Sequence, residues 1–284
     1  MSTSAWPAGS TPATRWRPAP LLKVSLALHV VGVMAFVLHP ASWQWIVALL
    51  AGNHLLIIVS VFCPRGQLLG PNLVRLPAAA AQRGEVALTF DDGPDPYVTP
   101  RVLDLLDCYQ MKATFFCTGV NVRAHPDVVQ DIVRRGHAVE NHSFDHVHWF
   151  AMLGPWRMLR DIEAAQSTIT RIAGDRPRFF RAPNGFRNPW LDPLLARHGL
   201  RYVSWTRRGL DTVRRDAQPV TRALTRGLAA GDVLLMHDGS CGRTAEGKPM
   251  VLTVLPVLLD RLRGQGLNSV SLRTALEPHQ SSDS

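Results

Sequence analysis

Hydrophobic positions divide the chain into two regions with different patterns. Near the N-terminus, residues 21–38 and 43–62 form two apolar runs that are separated only by the segment His-Pro-Ala-Ser. From Glu85 onward, short apolar runs alternate with helical patterns, several of which begin with proline and are followed by glycine. The first region predicts a helical hairpin, and the second predicts an α/β domain.

The two apolar runs have the length of membrane-spanning helices. About 20 apolar residues cross a hydrocarbon core of about 30 Å, and both runs meet that length. A transmembrane hairpin is therefore predicted, with a buried helix pair in a soluble domain as the alternative. In an antiparallel hairpin, His29 of the first run reaches the same depth as Asn53 and His54 of the second. Polar groups at that depth need partners.

Charge is distributed unevenly and supports the membrane interpretation. Residues 1–84 contain no Asp or Glu, and their basic residues supply most of the formal net charge of +9. Basic residues that flank apolar runs mark the cytoplasmic side, and they lie here at both ends of the hairpin: Arg15, Arg17, Lys23, Arg65, Arg75 and Arg83. We expect a multi-pass inner-membrane protein with its catalytic domain in the cytoplasm. If only one run spans, that domain lies on the outer side.

The second region predicts seven strands that alternate with helices, as in a parallel α/β fold that is open or closed as a barrel. The predicted strands are Glu85–Phe90, Lys112–Cys117, Gly136–Asn141, Arg178–Arg181, Leu200–Trp205, Asp232–His237 and Asn268–Leu272. In such folds the chemistry lies at the carboxyl ends of the strands. Polar residues that could be catalytic or bind metal follow most of these strand ends: Asp91, Asp92, His142, His146, Arg181, Asp211 and His237.

Three of these residues have the chemistry of a metal site. Adjacent carboxylates at Asp91 and Asp92 repel each other unless a cation or a proton lies between them, although Asp-Gly-Pro is also typical of a simple turn. His142 and His146 are four residues apart and would point the same way on a helical turn. With Asp92 they form a set of two histidines and one carboxylate, which suits Zn²⁺ and also non-haem Fe(II).

The ordered motifs of the second region resemble those of the polysaccharide deacetylases, the NodB-homology family-4 carbohydrate esterases. The motifs are TFDDGPDP, NHSFDH, RAPNG, the Asp of RGLDT and LLMHDG, and the resemblance spans residues 85–276. It implies a distorted (β/α)₇ barrel, preceded here by two transmembrane helices. The expected organisation is a tail at 1–20, the hairpin, a Pro- and Ala-rich linker at 63–84, the catalytic domain at 85–276 and a tail at 277–284.

The resemblance also implies a role for each matching residue. Asp92, His142 and His146 correspond to the ligands of one divalent metal, usually zinc. Asp91 corresponds to the general base, Arg181 to the residue that orients it, His237 to the general acid and Asp211 to the carboxylate that tunes it. Leu235 corresponds to the acetyl-methyl pocket. Asn184 stands where the family usually has an aromatic residue that shapes the sugar groove. Asn184 and Trp205 are expected to bind substrate, with Phe186 and Trp190 as further candidates for sugar stacking and core packing of these aromatic residues as the alternative.

The expected function is metal-dependent removal of an N-acetyl group from an amino sugar in a polysaccharide or lipid-linked glycan. One alternative is a deformylase of a lipid-linked aminosugar, whose pocket needs no room for a methyl group. A membrane-anchored carbohydrate-binding pseudoenzyme is a second, but every catalytic position is retained. An iron oxygenase is disfavoured because Asp92 is far in sequence from the histidines. A nucleic-acid partner is disfavoured because the basic excess flanks the apolar runs.

Overall fold

A computed structural model describes residues 16–277; most of the two expected tails, residues 1–15 and 278–284, lies outside the described residues. The hairpin consists of α1 (Pro20–Leu38), a short 3₁₀ turn (Pro40–Ser42) and α2 (Trp43–Val61). Both helices are long and apolar enough to cross a membrane, and little of either is buried against the rest of the protein. The length and composition of the two helices are therefore consistent with the predicted membrane spans.

Polar side chains join the two helices of the hairpin at mid-length. Asn53 donates a hydrogen bond to Ser25 Oγ at 2.8 Å, and the His29 and His54 rings meet edge to face with centroids 5.2 Å apart. Gly32 lies against Ile46, where a side chain would be 3.1 Å from the nearest methyl group. His29 therefore faces the second helix as expected, whereas Asn53 pairs with Ser25.

Residues 85–277 contain one curled parallel sheet covered by helices. Its strands, in the spatial order β5-β4-β3-β2-β1-β7-β6 with β8 beside β1, are β1 (Glu85–Asp91), β2 (Ala113–Cys117), β3 (Ala138–Asn141), β4 (Phe179–Phe180), β5 (Arg201–Tyr202), β6 (Arg207–Arg208), β7 (Val233–His237) and β8 (Asn268–Ser269). Neighbouring strands pair in parallel, and β1 and β2 are completely buried.

Helices follow most of the strands and bury their apolar faces on the sheet. They are α3 (Ala78–Gln82), α4 (Thr99–Cys108), α5 (Gly119–Ala124), α6 (Pro126–Arg134), α7 (Pro155–Ala173), α8 (Leu191–Arg197), α9 (Ala217–Thr225), α10 (Met250–Gly264) and α11 (Leu272–Leu276). One core cluster packs β1, β2 and β7 against α4, α6, α9 and α10, and a second lies beneath α7 and α8.

The strand count corrects the sequence prediction of seven. The additional strand, Arg207–Arg208, pairs with Leu234 and Leu235 of β7, and its two arginines carry no apolar pattern. The predicted strand Asn268–Leu272 is divided: Ser269 ends β8, and Ser271 caps α11 by accepting a hydrogen bond from the N–H of Thr274. A capping serine thus competes with strand continuation.

The segment expected to be a linker is partly built into the fold. Leu73 exchanges main-chain hydrogen bonds with Tyr202 and Ser204, and the N–H of Leu76 donates to Gly231 O at 2.9 Å. Leu69, Leu76 and Ala80 are buried. From Leu69 onward this segment therefore covers the gap between the two edges of the curled sheet.

Candidate active site

The site forms at the carboxyl ends of the parallel strands, where the sequence predicted it. Asp91, the last residue of β1, lies directly beside His237, the last residue of β7. His142 immediately follows β3, and Arg181 immediately follows β4. These ends surround a cavity of about 430 Å³ lined by Asp91, Asp92, His142, Asp145, His146, His148, Asn184, Gly185, Trp205, Arg208, Thr212, Leu235, His237 and Ser240.

Asp92, His142 and His146 come together as one cluster with their ligand atoms within 4.8 Å of one another. Asp92 Oδ1 lies 3.2 Å from His142 Nε2 and 3.0 Å from His146 Nε2. It is buried, and no described residue gives it a hydrogen bond of normal geometry. His142 Nδ1 lies 2.9 Å from Arg181 O, so its N–H points there and Nε2 faces the cluster as a ligand atom.

A loop, rather than a helical turn, brings the two histidines together. Residues 142–149 are irregular, with left-handed φ angles at Ser143 (67°) and His146 (49°). Asp161 on α7 holds the loop by accepting hydrogen bonds from the N–H groups of Phe144 and Asp145 at 2.9 and 3.2 Å. The expectation of a helical turn at His142 and His146 was wrong, although it correctly paired the residues.

Electrostatics within the cluster favour an ionised carboxylate. Burial raises the pKa of Asp92, but its interactions with His142 and His146 outweigh this effect and lower the pKa below its ordinary range. Burial lowers the pKa of His146, but Asp92 and Asp91 raise it above its ordinary value. A cation that enters the cluster therefore replaces a proton, as ligand sets of this kind require.

Arg181 holds Asp91 in place from beneath the cavity. Its guanidinium is fully buried and donates from Nη1 to Asp91 Oδ1 at 2.6 Å and to Thr89 Oγ1 at 2.9 Å, and from Nη2 to Ser204 O at 2.9 Å. Its cation lies 4.1 Å from the centre of the Phe116 ring. The other carboxylate oxygen, Asp91 Oδ2, lies 3.8 Å from His142 Nε2 and faces the cluster.

Asp211 holds His237 in a corresponding way. Asp211 Oδ2 accepts from the main-chain N–H of His237 at 2.8 Å, and Oδ1 accepts from the ring Nδ1 at 2.9 Å. Burial lowers the pKa of His237, but Asp211, with smaller effects from Asp91 and Asp92, raises it to about 9. The ring is therefore an imidazolium at neutral pH, and its other nitrogen is free to act as an acid.

The remaining predicted residues line the same cavity. Leu235 lies two residues before His237 on β7 and is almost completely buried. The Trp205 ring packs against the side chains of Arg181 and Arg208. Asn184 has a left-handed φ of 58° and donates to His148 O at 3.1 Å. His148, an exposed residue of the same loop, also lines the cavity.

Several supporting residues were not predicted. Asn121 on α5 donates to Asp92 O at 2.7 Å, and nothing in its sequence context indicated this. Asp238 directly follows His237 in LLMHDG, and this position in a motif could have indicated a role in the site. Burial raises the pKa of Asp238 to about 7, and its carboxylate accepts a hydrogen bond from Thr99 Oγ1 at 2.5 Å. A side chain at Gly239 would meet Asp92 O at 2.1 Å, so only glycine allows this approach.

Comparison with known proteins identifies the family. The polysaccharide deacetylase family model matches residues 78–203. A peptidoglycan-N-acetylglucosamine deacetylase of Bacillus cereus is 30% identical over 193 residues, which cover 67% of this chain and 87% of that protein. A chitooligosaccharide deacetylase of Bradyrhizobium is 31% identical over 192 residues, which cover 64% of this chain and 85% of that protein.

Solved structures of related proteins have the same fold as this chain. The crystal structure of a peptidoglycan N-acetylglucosamine deacetylase superposes with a TM-score of 0.65 at 28% identity, covering 72% of this chain and 92% of that one. A family 4 carbohydrate esterase from Streptomyces lividans superposes with a TM-score of 0.59 at 34% identity, covering 66% and 91% of the two chains. The predicted barrel-type fold is confirmed. The chain belongs to the polysaccharide deacetylase family, hydrolases that act on carbon–nitrogen bonds other than peptide bonds.

Proposed function

We propose that this protein is a membrane-anchored, metal-dependent deacetylase that removes the N-acetyl group from an amino sugar in a membrane-associated glycan. One observation carries the proposal: the Asp92–His142–His146 cluster lies in one cavity between Asp91, held by Arg181, and His237, held by Asp211. A base and an acid on either side of a metal-binding cluster are the groups that amide hydrolysis needs.

The donor set fits a divalent ion, and we assign zinc. Two imidazole nitrogens and one carboxylate oxygen are common ligands of catalytic zinc and leave positions for water and substrate, although Fe(II) accepts the same set. Asp92 Oδ1 is buried between the two Nε2 atoms and accepts no well-aligned hydrogen bond from the described residues, which supports a cation there. When bound, such an ion lowers the pKa of a water molecule and polarises a carbonyl oxygen.

The residues of the chain supply the proton transfers. Asp91, oriented by Arg181, accepts a proton from the attacking water as the new carbon–oxygen bond forms. His237 donates its proton to the sugar nitrogen as the carbon–nitrogen bond breaks, so the products are acetate and a free amine. Asp211 orients His237 and keeps it charged before that step. Water thus supplies the hydroxyl group, and no redox cofactor is needed.

Leu235 favours acetyl over formyl as the acyl group. Leu235 is 1% exposed and presents an apolar side chain to the cavity, which suits a methyl group. Paired N-acetyl and N-formyl derivatives of one amino sugar test this assignment. Faster release of formate than of acetate would assign the protein as a deformylase instead.

The hairpin supports membrane anchoring. Most of the large apolar side chains of α1 and α2 are exposed, among them Leu26, Val33, Val37, Leu49 and Ile58. Such a surface needs an apolar environment, and the length of each helix matches one crossing of a bilayer. Fractionation of the full chain tests this part: it should stay with the membranes after a high-salt wash and need detergent for release, and a full chain recovered in the soluble fraction would contradict anchoring.

We place the catalytic domain on the cytoplasmic side, because the basic residues Arg17, Lys23 and Arg65 lie at the ends of the hairpin nearest that domain. Reporter fusions after residue 41 and after residue 64 test the orientation. The first should report the outer side and the second the cytoplasm. This placement favours a lipid-linked amino sugar, whereas the reverse result would favour an extracytoplasmic glycan such as those named for the relatives.

A further inference from the structure

Both ends of the hairpin rest on the same face of the catalytic domain. Before α1, Trp16 donates from Nε1 to Asp192 Oδ2 at 2.8 Å. After α2, the Phe62 ring meets the Phe186 ring with centroids 5.2 Å apart, and the N–H of Arg187 donates to Val61 O at 3.4 Å. The segment from Phe186 to Asp192 therefore lies where the two helices leave the domain.

Exposed aromatic and apolar side chains cluster around that segment. Four of them, which we call the aromatic ridge, have large exposed fractions: Trp149 at 56%, Met152 at 82%, Trp156 at 78% and Trp190 at 54%. Asn188 ties their segments together, because its amide donates to Ala151 O at 2.9 Å and Leu153 O at 3.1 Å and accepts from the N–H of Trp190 at 3.0 Å. Exposed tryptophans in one place are typical of a contact surface.

The position of the ridge indicates what covers it. Trp43 and Trp45 are exposed at the far end of the hairpin, and Trp16 lies at the near end. Tryptophan at both ends of membrane-spanning helices marks the two headgroup layers. The ridge lies beside the near end, and the exposed Arg157 and Arg160 follow Trp156 on α7. Tryptophan with neighbouring arginine suits an anionic headgroup layer.

We propose that the aromatic ridge inserts into the lipid headgroup layer of the bilayer that holds the hairpin, and so fixes the mouth of the active site at the membrane surface. This inference rests on the anchoring proposed above. Asn184 and Gly185 line the cavity, and Gly185 packs against Pro64, which follows the hairpin. A substrate sugar attached to a lipid in the same bilayer would therefore meet the cavity directly.

Environment-sensitive labels test the insertion. The full chain is prepared with Cys63, Cys108 and Cys241 changed to Ser. An NBD fluorophore is then attached to a single new cysteine, introduced by Met152→Cys, Trp156→Cys or Trp190→Cys. Each labelled protein is reconstituted in vesicles that contain phosphatidylglycerol. A label at Val257→Cys, on the exposed face of α10, is the control for a position in water. A label at Val33→Cys, on α1, is the control for a position in lipid. The fluorescence of the ridge labels should be blue-shifted relative to the Val257 label and quenched by nitroxide lipids. The size of both effects should lie between those of the Val257 and Val33 labels.

The outcomes separate this inference from the anchoring. A Val33 label in lipid with ridge labels as exposed to water as Val257 would overturn the ridge proposal alone. A Val33 label in water would overturn the anchoring itself. Ridge labels that are shielded by a soluble chitooligosaccharide, and not by lipid, would show a glycan surface and would also overturn the proposal.

A kinetic comparison tests the consequence for substrate choice. Met152→Ser/Trp156→Ser should lower deacetylation of a lipid-linked amino sugar in vesicles by roughly tenfold, equivalent to about 1.4 kcal/mol of lost surface binding. Deacetylation of a soluble oligosaccharide should be unchanged, as should both activities in the matched variant Val257→Ser. Equal losses on both substrates would contradict the ridge proposal.

Discussion

Arg181 Nη1 donates to Asp91 Oδ1 at 2.6 Å, and neither side chain is more than 4% exposed. A buried ion pair of this kind fixes one carboxylate oxygen and leaves the other facing the cavity. It is also costly to break, because the remaining charge stays buried without a partner. Arg181 therefore links the stability of the barrel to the geometry of its proposed base.

Replacing Arg181 should affect both properties. Arg181→Lys keeps the charge but cannot reach Asp91, Thr89 and Ser204 together, because an ammonium lacks the planar fork of a guanidinium. We expect a clearly lower melting temperature and a lower kcat with the bound metal retained, measured by thermal unfolding and by acetate release. Thr89→Val removes two buried hydrogen bonds, one accepted from the Arg181 guanidinium and one donated to Leu234 O, and should cost roughly 2–4 kcal/mol of stability. An Arg181→Lys protein with unchanged kcat would show that Asp91 needs no positioning.

The metal cluster predicts a difference between two histidines of one loop. His142→Ala removes a buried ligand, so purified protein should lose its bound metal by elemental analysis. His148→Ala, on the exposed rim of the same cavity, should retain the metal. Full metal occupancy in His142→Ala would rule out the proposed ligand set.

The Asp211–His237 pair predicts a pH dependence. Because Asp211 raises the pKa of His237 to about 9, His237 holds its catalytic proton through neutral pH. Asp211→Asn should move the basic limb of the kcat/KM profile to lower pH. The same pair should stabilise the metal-free fold fully below the ordinary histidine pKa of about 6.5 and lose that contribution as the pH rises through about 9.

A pH series of unfolding midpoints on metal-free protein measures the second effect. The difference in stability between wild type and Asp211→Asn should shrink from pH 6 to pH 10. Asp216→Asn, an exposed change at the start of α9, is the control for general charge effects. A difference that grows with pH would mean that His237 is neutral in the folded protein.

Leu235 predicts acyl-group selectivity. Leu235→Phe fills apolar space beside His237 and should slow acetate release more than formate release from matched substrates. Leu255→Phe, on the buried face of α10 and away from the cavity, is the control for loss of stability. Equal slowing of both acyl groups by Leu235→Phe would place the acyl group elsewhere.

The sequence predicted the parts of the site that a strand carries directly. Asp91 and His237 end strands β1 and β7, and the parallel pairing of those strands sets them side by side. Arg181 and His142 each follow a strand in the same way. For these residues, the apolar pattern located the strand, and the topology of parallel sheets then located the side chain.

The structural features that sequence analysis missed depend on irregular backbone or on contacts between residues that are distant in sequence. His142 and His146 converge through left-handed residues in a loop, and Asp161 reaches that loop from the side of α7. The strand Arg207–Arg208 has no apolar pattern and depends on its pairing with β7. Residues 69–82 pack on the domain although their composition is typical of a linker. In each case the partner that stabilises the feature is distant in sequence, so no local sequence pattern could indicate that feature.

The proposed reaction requires Asp91 to act as a base beside a metal-loaded Asp92–His142–His146 cluster. The most direct measurement is acetate release from N-acetylglucosamine oligosaccharides and lipid-linked N-acetylglucosamine by the full chain in vesicles. Activity should disappear with a chelator and return with Zn²⁺, and Asp91→Asn should retain the metal while losing about 10²–10⁴-fold in turnover. Acetate release by metal-loaded Asp91→Asn within tenfold of wild type, or release that survives complete metal removal, would contradict this mechanism.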